Sequence, residues 1–478
     1  MSVPLAVFSE PSAAQSRSQS RPPPRPAARP TVRPTTRQQS SGRVQGTENS
    51  RLTREEVRQI NSPRARQAAA RENLSDRQLY RVSTEEARAA RKLASRVVDA
   101  QERKSSKTAK LNAKLQEQYG LAYVDVDSRF TLVRYGELIG INLSDESREI
   151  AEGLGFTVLR RAGLTSIGVL IDLLRMPEGE EFIEAFDALK KADPTSLYRY
   201  NATYAPTGVL GGAFEIEDDT PDAAPSAPAA LSAMATGGTG IHVGMIDTGI
   251  KQDHKLFTKV NIEQKNWGRG MDITPRDHGT AVASILALGG HQKIFAADVF
   301  SGVASYADAE AIVIALDWMA GQNVGVINIS LAGPPNDLLQ FAVSRLIKKG
   351  HILVAAVGNQ GSDGPPLYPA SYPGVIGVTA VDKSLRIYDQ AFQGDAVDFA
   401  ALGVKIKAAS YTGKKKYSGT SFAAPIVASR LALHHRDASL KSAFGALAGL
   451  IVDAKDLGAA GYDPVFGFGH LGKAQTRP

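Results

Sequence analysis

The strongest constraint on the fold lies in the second half of the chain. From Gly237 onward, short apolar runs alternate with helix-length segments. A parallel strand needs a crossover of helical length before its neighbour, so this alternation predicts a parallel sheet with helices packed on it. Residues 237–475 are therefore expected to form an α/β domain. In open sheets of this kind, side chains that act on a ligand gather at the carboxyl ends of the strands.

The rest of the chain divides by composition. The first 120 residues hold 24 lysines and arginines against 11 acids, and the remainder holds 32 against 38. The net charge of +7 thus belongs to the N-terminal quarter alone. Residues 11–50 are mostly Ser, Arg, Pro, Gln and Thr, with Arg-Pro pairs at Arg21, Arg25, Arg29 and Arg33. Such a stretch buries almost nothing apolar, which predicts a disordered basic tail. Arginines attract polyanions, but no aromatic side chain interleaves with these to stack on a base, so no specific nucleic-acid partner is expected. Residues 51–118 change to Ala, Arg, Glu, Gln and Leu, and Ser83-Thr84-Glu85-Glu86 opens a charged helix. Its apolar residues are mostly alanine, so residues 1–118 are read as a low-complexity tail followed by frayed helix with poor tertiary anchoring.

Residues 119–206 read as a small α+β unit. Strands are expected at 131–135, 137–143, 156–159, 167–174 and 198–204. One helix starts at Ser144 with acids in its first turn, and another starts at Pro177 with an apolar stripe at 182, 183, 186 and 189. From Glu137 the order is β-α-β-β-α-β, the split-βαβ or ferredoxin-like pattern. Residues 207–236, acidic and then rich in Ala, Pro and Ser, read as a linker.

Several function classes are excluded early. No apolar run reaches the ~18 residues that span a bilayer, so no transmembrane segment is expected. The chain has no cysteine, which removes disulfides, thiolate metal sites and a cysteine nucleophile. The apolar patch at residues 3–8 stops at Ser9-Glu10 with no basic residue before Arg17, so no intact secretory signal is read.

Four segments carry chemistry. The apolar strand 241–247 ends in Asp247-Thr248-Gly249, where a carboxylate is placed to orient a histidine or, equally, to cap a turn. His278 follows Asp277 at the start of an apolar helical stretch, as a base or as an ordinary core histidine. The strand 352–357 ends in Gly358-Asn359, whose amide is a donor or a turn residue. Ser418-Gly419-Thr420-Ser421 is a small-residue turn into a helix with Pro425 expected in its first turn, which exposes a hydroxyl or supplies a helix cap.

In the order Asp247, His278, Asn359, Ser421, these segments resemble the subtilisin-like serine proteases, or subtilases. The resemblance covers about residues 238–475 and takes in residues 326–333, 368–382, 397–403 and 461–469. It implies a three-layer catalytic domain in which Asp247, His278 and Ser421 form a triad and Asn359 holds the oxyanion with the Ser421 N–H. It implies that Ser330, Leu331, Ala332 and Gly333 bind a polypeptide substrate along its backbone. Ala332 replaces a usual glycine, and Ala355, Ala356, Val357 and Gln360 suggest an uncharged pocket wall, so apolar residues are expected on the acyl side of the cut. Lys414, Lys415 and Lys416 are read as a solvated loop in preference to a site for acidic substrate residues. The resemblance also implies that residues 119–206 are a propeptide, an inhibitor removed by self-cleavage near Tyr204 or within the linker to Met234. Family members often bind calcium, but no acidic loop here is specific enough to assign a metal site, so calcium stays open and no other cofactor is expected. A propeptide-bearing protease implies secretion or the cell envelope, and the missing signal leaves the cytoplasm as the alternative. The competing reading is a non-catalytic subtilase-fold interaction protein with a polyanion-binding tail.

Overall fold

The alternation of strands and helices after residue 237 is present in the computed structural model, which describes residues 92–93, 96–97, 107–126, 129–206, 216–217, 242–268, 272–288, 293–300 and 306–472. The Arg-Pro pairs, the helix expected from Ser83 and most of the linker lie outside the described residues.

The N-terminal elements are α1 (Thr108–Tyr119), β1 (Leu121–Val126), β2 (Arg129–Ile141), α2 (Asp145–Gly153), β3 (Thr157–Leu164), β4 (Val169–Arg175), α3 (Phe182–Ala192) and β5 (Leu197–Pro206). Strand order β5-β2-β4-β3, antiparallel throughout, is the ferredoxin-like arrangement. Ser144 caps α2 by accepting from the Ser147 N–H at 3.0 Å. One sheet face packs on α2 and α3 through Leu138, Leu174, Phe182, Phe186 and Leu189. The other face, with Ile139, Ile171 and Leu173, joins the core of the C-terminal half.

Four expectations for this region are corrected. The strands at 131–135 and 137–143 are one strand, β2, with a register shift between Val133 and Leu138. β1, which pairs with β2, carried no expected element. α3 begins at Phe182 rather than at Pro177, and its buried stripe is Phe182, Ala185, Phe186 and Leu189. Ile183 is 51% exposed, because it falls outside that i, i+3, i+4, i+7 stripe. The frayed-helix reading also fails near residue 118: Leu93, Val97 and Leu115 are buried in one cluster with Leu121, Leu132, Ala205 and Tyr306.

The remaining elements are β6 (Ile216–Glu217), β7 (His242–Asp247), β8 (Asn261–Asn266), α4 (Asp277–Leu288), β9 (Lys293–Asp298), β10 (Ala307–Asp308), α5 (Ala309–Gly321), β11 (Val326–Ile329), β12 (Leu331–Ala332), α6 (Asp337–Lys348), β13 (Ile352–Ala356), β14 (Ile376–Val381), β15 (Phe399–Leu402), β16 (Ile406–Ser410), β17 (Gly413–Tyr417), α7 (Thr420–His434) and α8 (Leu440–Asp453). The central sheet runs β15-β14-β13-β11-β7-β9-β8 and is parallel at every pairing. Its strands are buried on both faces, as a helix-covered parallel sheet requires. Residues of α5 and α6 join the core on one face. Residues of α4, α7 and α8 join the core on the other.

Candidate active site

Asp247 is the last residue of β7, which lies between β9 and β11 in the sheet. His278 is the second residue of α4. The two meet because Gly279 lets the helix start press on the strand end. A Cβ at Gly279 would collide with the Thr248 backbone, and the Gly279 N–H donates to Thr248 Oγ1 at 2.9 Å. Asp247 Oδ1 accepts from the Thr248 N–H at 2.7 Å and bonds His278 Nδ1 at 2.7 Å. Their side chains are 1% and 7% exposed. A carboxylate acceptor places the ring proton on Nδ1, so the basic lone pair of the neutral imidazole is on Nε2.

Ser421 stands in the first turn of α7, and α4 packs on α7, with the His278 ring 5.4 Å from that of Phe422. The Thr420 N–H and hydroxyl both donate to Asn359 Oδ1, at 3.0 and 3.1 Å, so Nδ2 is the end of the amide left to donate elsewhere. Ser421 Oγ donates to the Ser330 carbonyl at 3.2 Å, and Ser330 Oγ donates back to the Ser421 carbonyl at 2.9 Å. Pro425 sits in the second turn of α7, not the first. Its missing N–H would have bonded the carbonyl of residue 421, and Ser330 takes that place. The structure thus joins Asp247 to His278, Asn359 to the Thr420 turn and Ser330 to Ser421.

The closing strand of the N-terminal sheet enters this region. Leu331 and Ala332 of β12 stand opposite Pro206 and Ala205 of β5. On the other edge of β5, Ala307 and Asp308 of β10 stand opposite Tyr204 and Thr203. Tyr204 is fully buried, and its hydroxyl donates to the Pro334 carbonyl at 2.8 Å. A Cβ at Gly333 would lie 2.5 Å from the Tyr204 ring, so the residue that makes room is Gly333, while Ala332 stands opposite Ala205. Arg134 donates through Nε and Nη2 to Asp308 Oδ1 at 3.0 and 2.7 Å, with both side chains buried. Arg160 Nε donates to Glu310 Oε1 at 2.6 Å.

Other expectations shift. Ala355, Ala356 and Val357 are fully buried in the two cores. Gln360 donates to the Pro365 carbonyl at 2.8 Å. Lys414, Lys415 and Lys416 lie in strand β17 rather than a loop, and Lys415 Nζ is 3.2 Å from Asp277 Oδ2. Among the described residues, no three histidine or acidic side chains converge as metal ligands would, and no helix is long and apolar enough to cross a membrane. No calcium site is assigned.

Sequence reasoning passed over Thr248, Thr420, Asp298 and Arg134. Asp298 had a signal: like Asp247, it is an acid that ends an apolar strand, and the two stand opposite each other in the ladder. It accepts from the Thr274 and Phe300 N–H groups at 3.1 and 3.0 Å. Burial pushes its carboxyl up to about 6, against the lowering pull of Arg276. Arg134 had no signal, because its partner lies 174 residues away.

Comparison with known proteins adds a lineage to this geometry. The profile of the subtilase family matches residues 238–469. Over 218 residues the chain is 34% identical to a cuticle-degrading serine protease of Arthrobotrys oligospora, covering 42% of this chain and 53% of that one. Over 223 residues it is 32% identical to subtilisin DY of Bacillus licheniformis, covering 42% of this chain and 79% of that one. The chain spans about half the length of the cuticle-degrading proteases it matches. Among solved structures, fervidolysin from Fervidobacterium pennivorans, a keratinolytic enzyme related to subtilisin, aligns with a TM-score of 0.55 at 21% identity. That likeness of fold covers 72% of this chain and 61% of fervidolysin.

Proposed function

Because the chain belongs to the subtilase family, we propose that it is a serine endopeptidase that works through an acyl-enzyme intermediate and is made as a self-processing zymogen. The observation that carries this reading is the buried Asp247–His278 hydrogen bond beside the turn that holds Ser421. A serine hydroxyl is a weak nucleophile at neutral pH and needs a base. His278 Nε2 takes the Ser421 proton as Oγ attacks the scissile carbonyl, then gives it to the leaving amine. Asp247 keeps the proton on Nδ1 and stabilises the imidazolium. The oxyanion is held by Asn359 Nδ2 and the Ser421 N–H. Water, deprotonated by the same imidazole, then releases the acyl group.

The position of β5 supports the zymogen reading. It lies between β10 and β12 as an added strand, the mode in which backbone bonds bind an extended peptide. The next described strand, β6, pairs with β17. β17 leads within four residues to Ser421. We place self-cleavage between residues 206 and 216. The substrates are polypeptides. A cuticle-degrading relative supports action outside the cell or in its envelope, and recovery of the processed protein only from cytoplasm would overturn that placement.

The test is Ser421→Ala in the full chain. Peptide turnover is expected to fall by about 10⁴-fold or more, with loss of fluorophosphonate labelling and an uncut N-terminal segment. Mass spectrometry of the wild-type protein is expected to find a new N-terminus between residues 207 and 216. Near wild-type turnover in the variant would sink the mechanism.

A further inference from the structure

The β16–β17 hairpin lays its lysines out by strand alternation. Its inner face carries Ile406, Ala408 and Tyr417, all buried in the core, together with Lys415, which pairs with Asp277. The opposite face carries Lys407, Lys414 and Lys416. Lys407 stands directly across from Lys416 in the antiparallel register, and Lys414 lies two residues along the same face. Like charges directly opposite destabilise a ladder, so this face favours an anion.

The second edge of β17 is paired by β6, antiparallel, with Glu217 in register opposite Lys416 and Ile216 opposite Tyr417. The sequence around β6 is Glu215-Ile216-Glu217-Asp218-Asp219, with Asp222 following. β6, Ile216–Glu217, is therefore drawn from the most acidic run of the linker sequence. β6 follows β5 in the chain, and β5 ends on β12 beside Ser330. Whatever pairs with β17 is therefore the part of a polypeptide downstream of a cut made beyond residue 206.

We propose that the outer edge of β17, with Lys414 and Lys416 and with Lys407 of β16 on the same face, is a docking strand for acidic, extended polypeptide on the leaving-group side of the cut. This rests on the peptidase reading. Main-chain pairing supplies affinity and the lysines select acidic residues. The acidic linker is the first occupant. After processing it remains joined to the catalytic half through residues 218–241, so it competes with acidic substrates for the same edge.

The experiment uses the purified, processed protein and paired quenched peptides that are identical up to the cut. One carries Asp and Glu downstream, the other Ser and Gln. The acidic peptide is expected to show about tenfold higher kcat/KM at low salt, mainly through KM, with the advantage shrinking as salt screens the charges. Lys414→Gln with Lys416→Gln removes the advantage and leaves turnover of the Ser/Gln peptide unchanged. Neutralising the linker with Glu215→Gln, Glu217→Gln, Asp218→Asn and Asp219→Asn enlarges it. Equal turnover of both peptides, or a preference that survives the lysine changes, would overturn the proposal. A second measurement needs no turnover: anisotropy of the labelled acidic peptide with the Ser421→Ala chain whose linker is neutralised. Binding lost with the lysine substitutions supports the docking strand. Binding of a single-stranded oligonucleotide but not of the acidic peptide overturns it. Acidic-peptide binding in a protein that cleaves neither peptide and resists fluorophosphonate would instead break the peptidase reading.

Discussion

The two sheets treat a buried aspartate in opposite ways. Asp298, at the end of β9 in the parallel sheet, accepts two backbone N–H groups and lies near Arg276. Asp172, in β4 of the antiparallel sheet, is fully buried, yet neither of its oxygens accepts a hydrogen bond. Arg161 Nε and Arg148 Nη1 approach it only to 3.5 and 3.9 Å. Two guanidinium groups, those of Arg134 and Arg160, tie the N-terminal unit to carboxylates of β10 and α5. The contrast is between a buried carboxylate satisfied by backbone N–H groups at its strand end and one left without hydrogen bonds in a unit that shares a core with the half it rests on.

The sharpest way to break this contrast is to remove a tie. Arg134→Ala removes the guanidinium that makes two bonds to buried Asp308, and breaking such a buried pair costs about 3–5 kcal/mol. In the uncut Ser421→Ala background, the N-terminal unit is expected to become sensitive to an added protease while residues 242–472 stay resistant. Equal resistance of both halves would mean that the unit does not depend on this tie. Next in size is Asn359→Ala in the C-terminal half. Turnover is expected to fall by about 10²–10³-fold, a magnitude that comes from a subtilisin, with thermal stability nearly unchanged. A drop in melting temperature matched to the drop in rate would make Asn359 a structural residue.

Smaller effects come from the two aspartates. The Asp298 carboxyl binds its proton more tightly in the folded chain than in the unfolded one. Its stabilising contribution is therefore complete below about pH 4 and is lost as pH rises through about 6, a change of roughly 2–3 kcal/mol. Relative to Asp298→Asn, the wild-type melting temperature should fall over that window, and parallel curves would remove the effect. Asp172→Leu is expected to stabilise the N-terminal unit by about 1 kcal/mol at neutral pH. Burial holds the Asp172 carboxyl above its ordinary range, so the gain should shrink toward acid. Neither arginine is stranded by the change. Arg161 is half exposed, and Arg148 keeps the Leu143 carbonyl at 2.7 Å. Urea unfolding of the uncut chain would measure it, and a loss of stability would mean that Asp172 is paired better than its geometry shows.

What the sequence made legible follows the same division. The parallel sheet was readable because its strands are short apolar runs that end in distinctive polar turns, as at Asp247 and Asn359. In the N-terminal unit the order of elements was readable, but which side chains are covered was not. Ile183 looked like part of a stripe, and Leu93, Val97 and Leu115 looked too sparse to anchor anything, because their covering surface comes from residues far along the chain. The same holds for the lysine strand. Its partners, Asp277 and β6, are set by topology and not by local pattern. Pro425 was misplaced by one turn, since proline at a helix start is the usual case and proline in the second turn needs a reason.

That reason reaches beyond helix geometry. With one rung missing from its ladder, α7 does not hold the Ser421 carbonyl to itself, and Ser330 is moored there through a reciprocal pair of bonds. On the proposed peptidase reading, the nucleophile and the strand beside the substrate would thereby be one mechanical piece. A peptide that tugged on β12 would then pull Ser421 with it, and the two would stay aligned through small displacements.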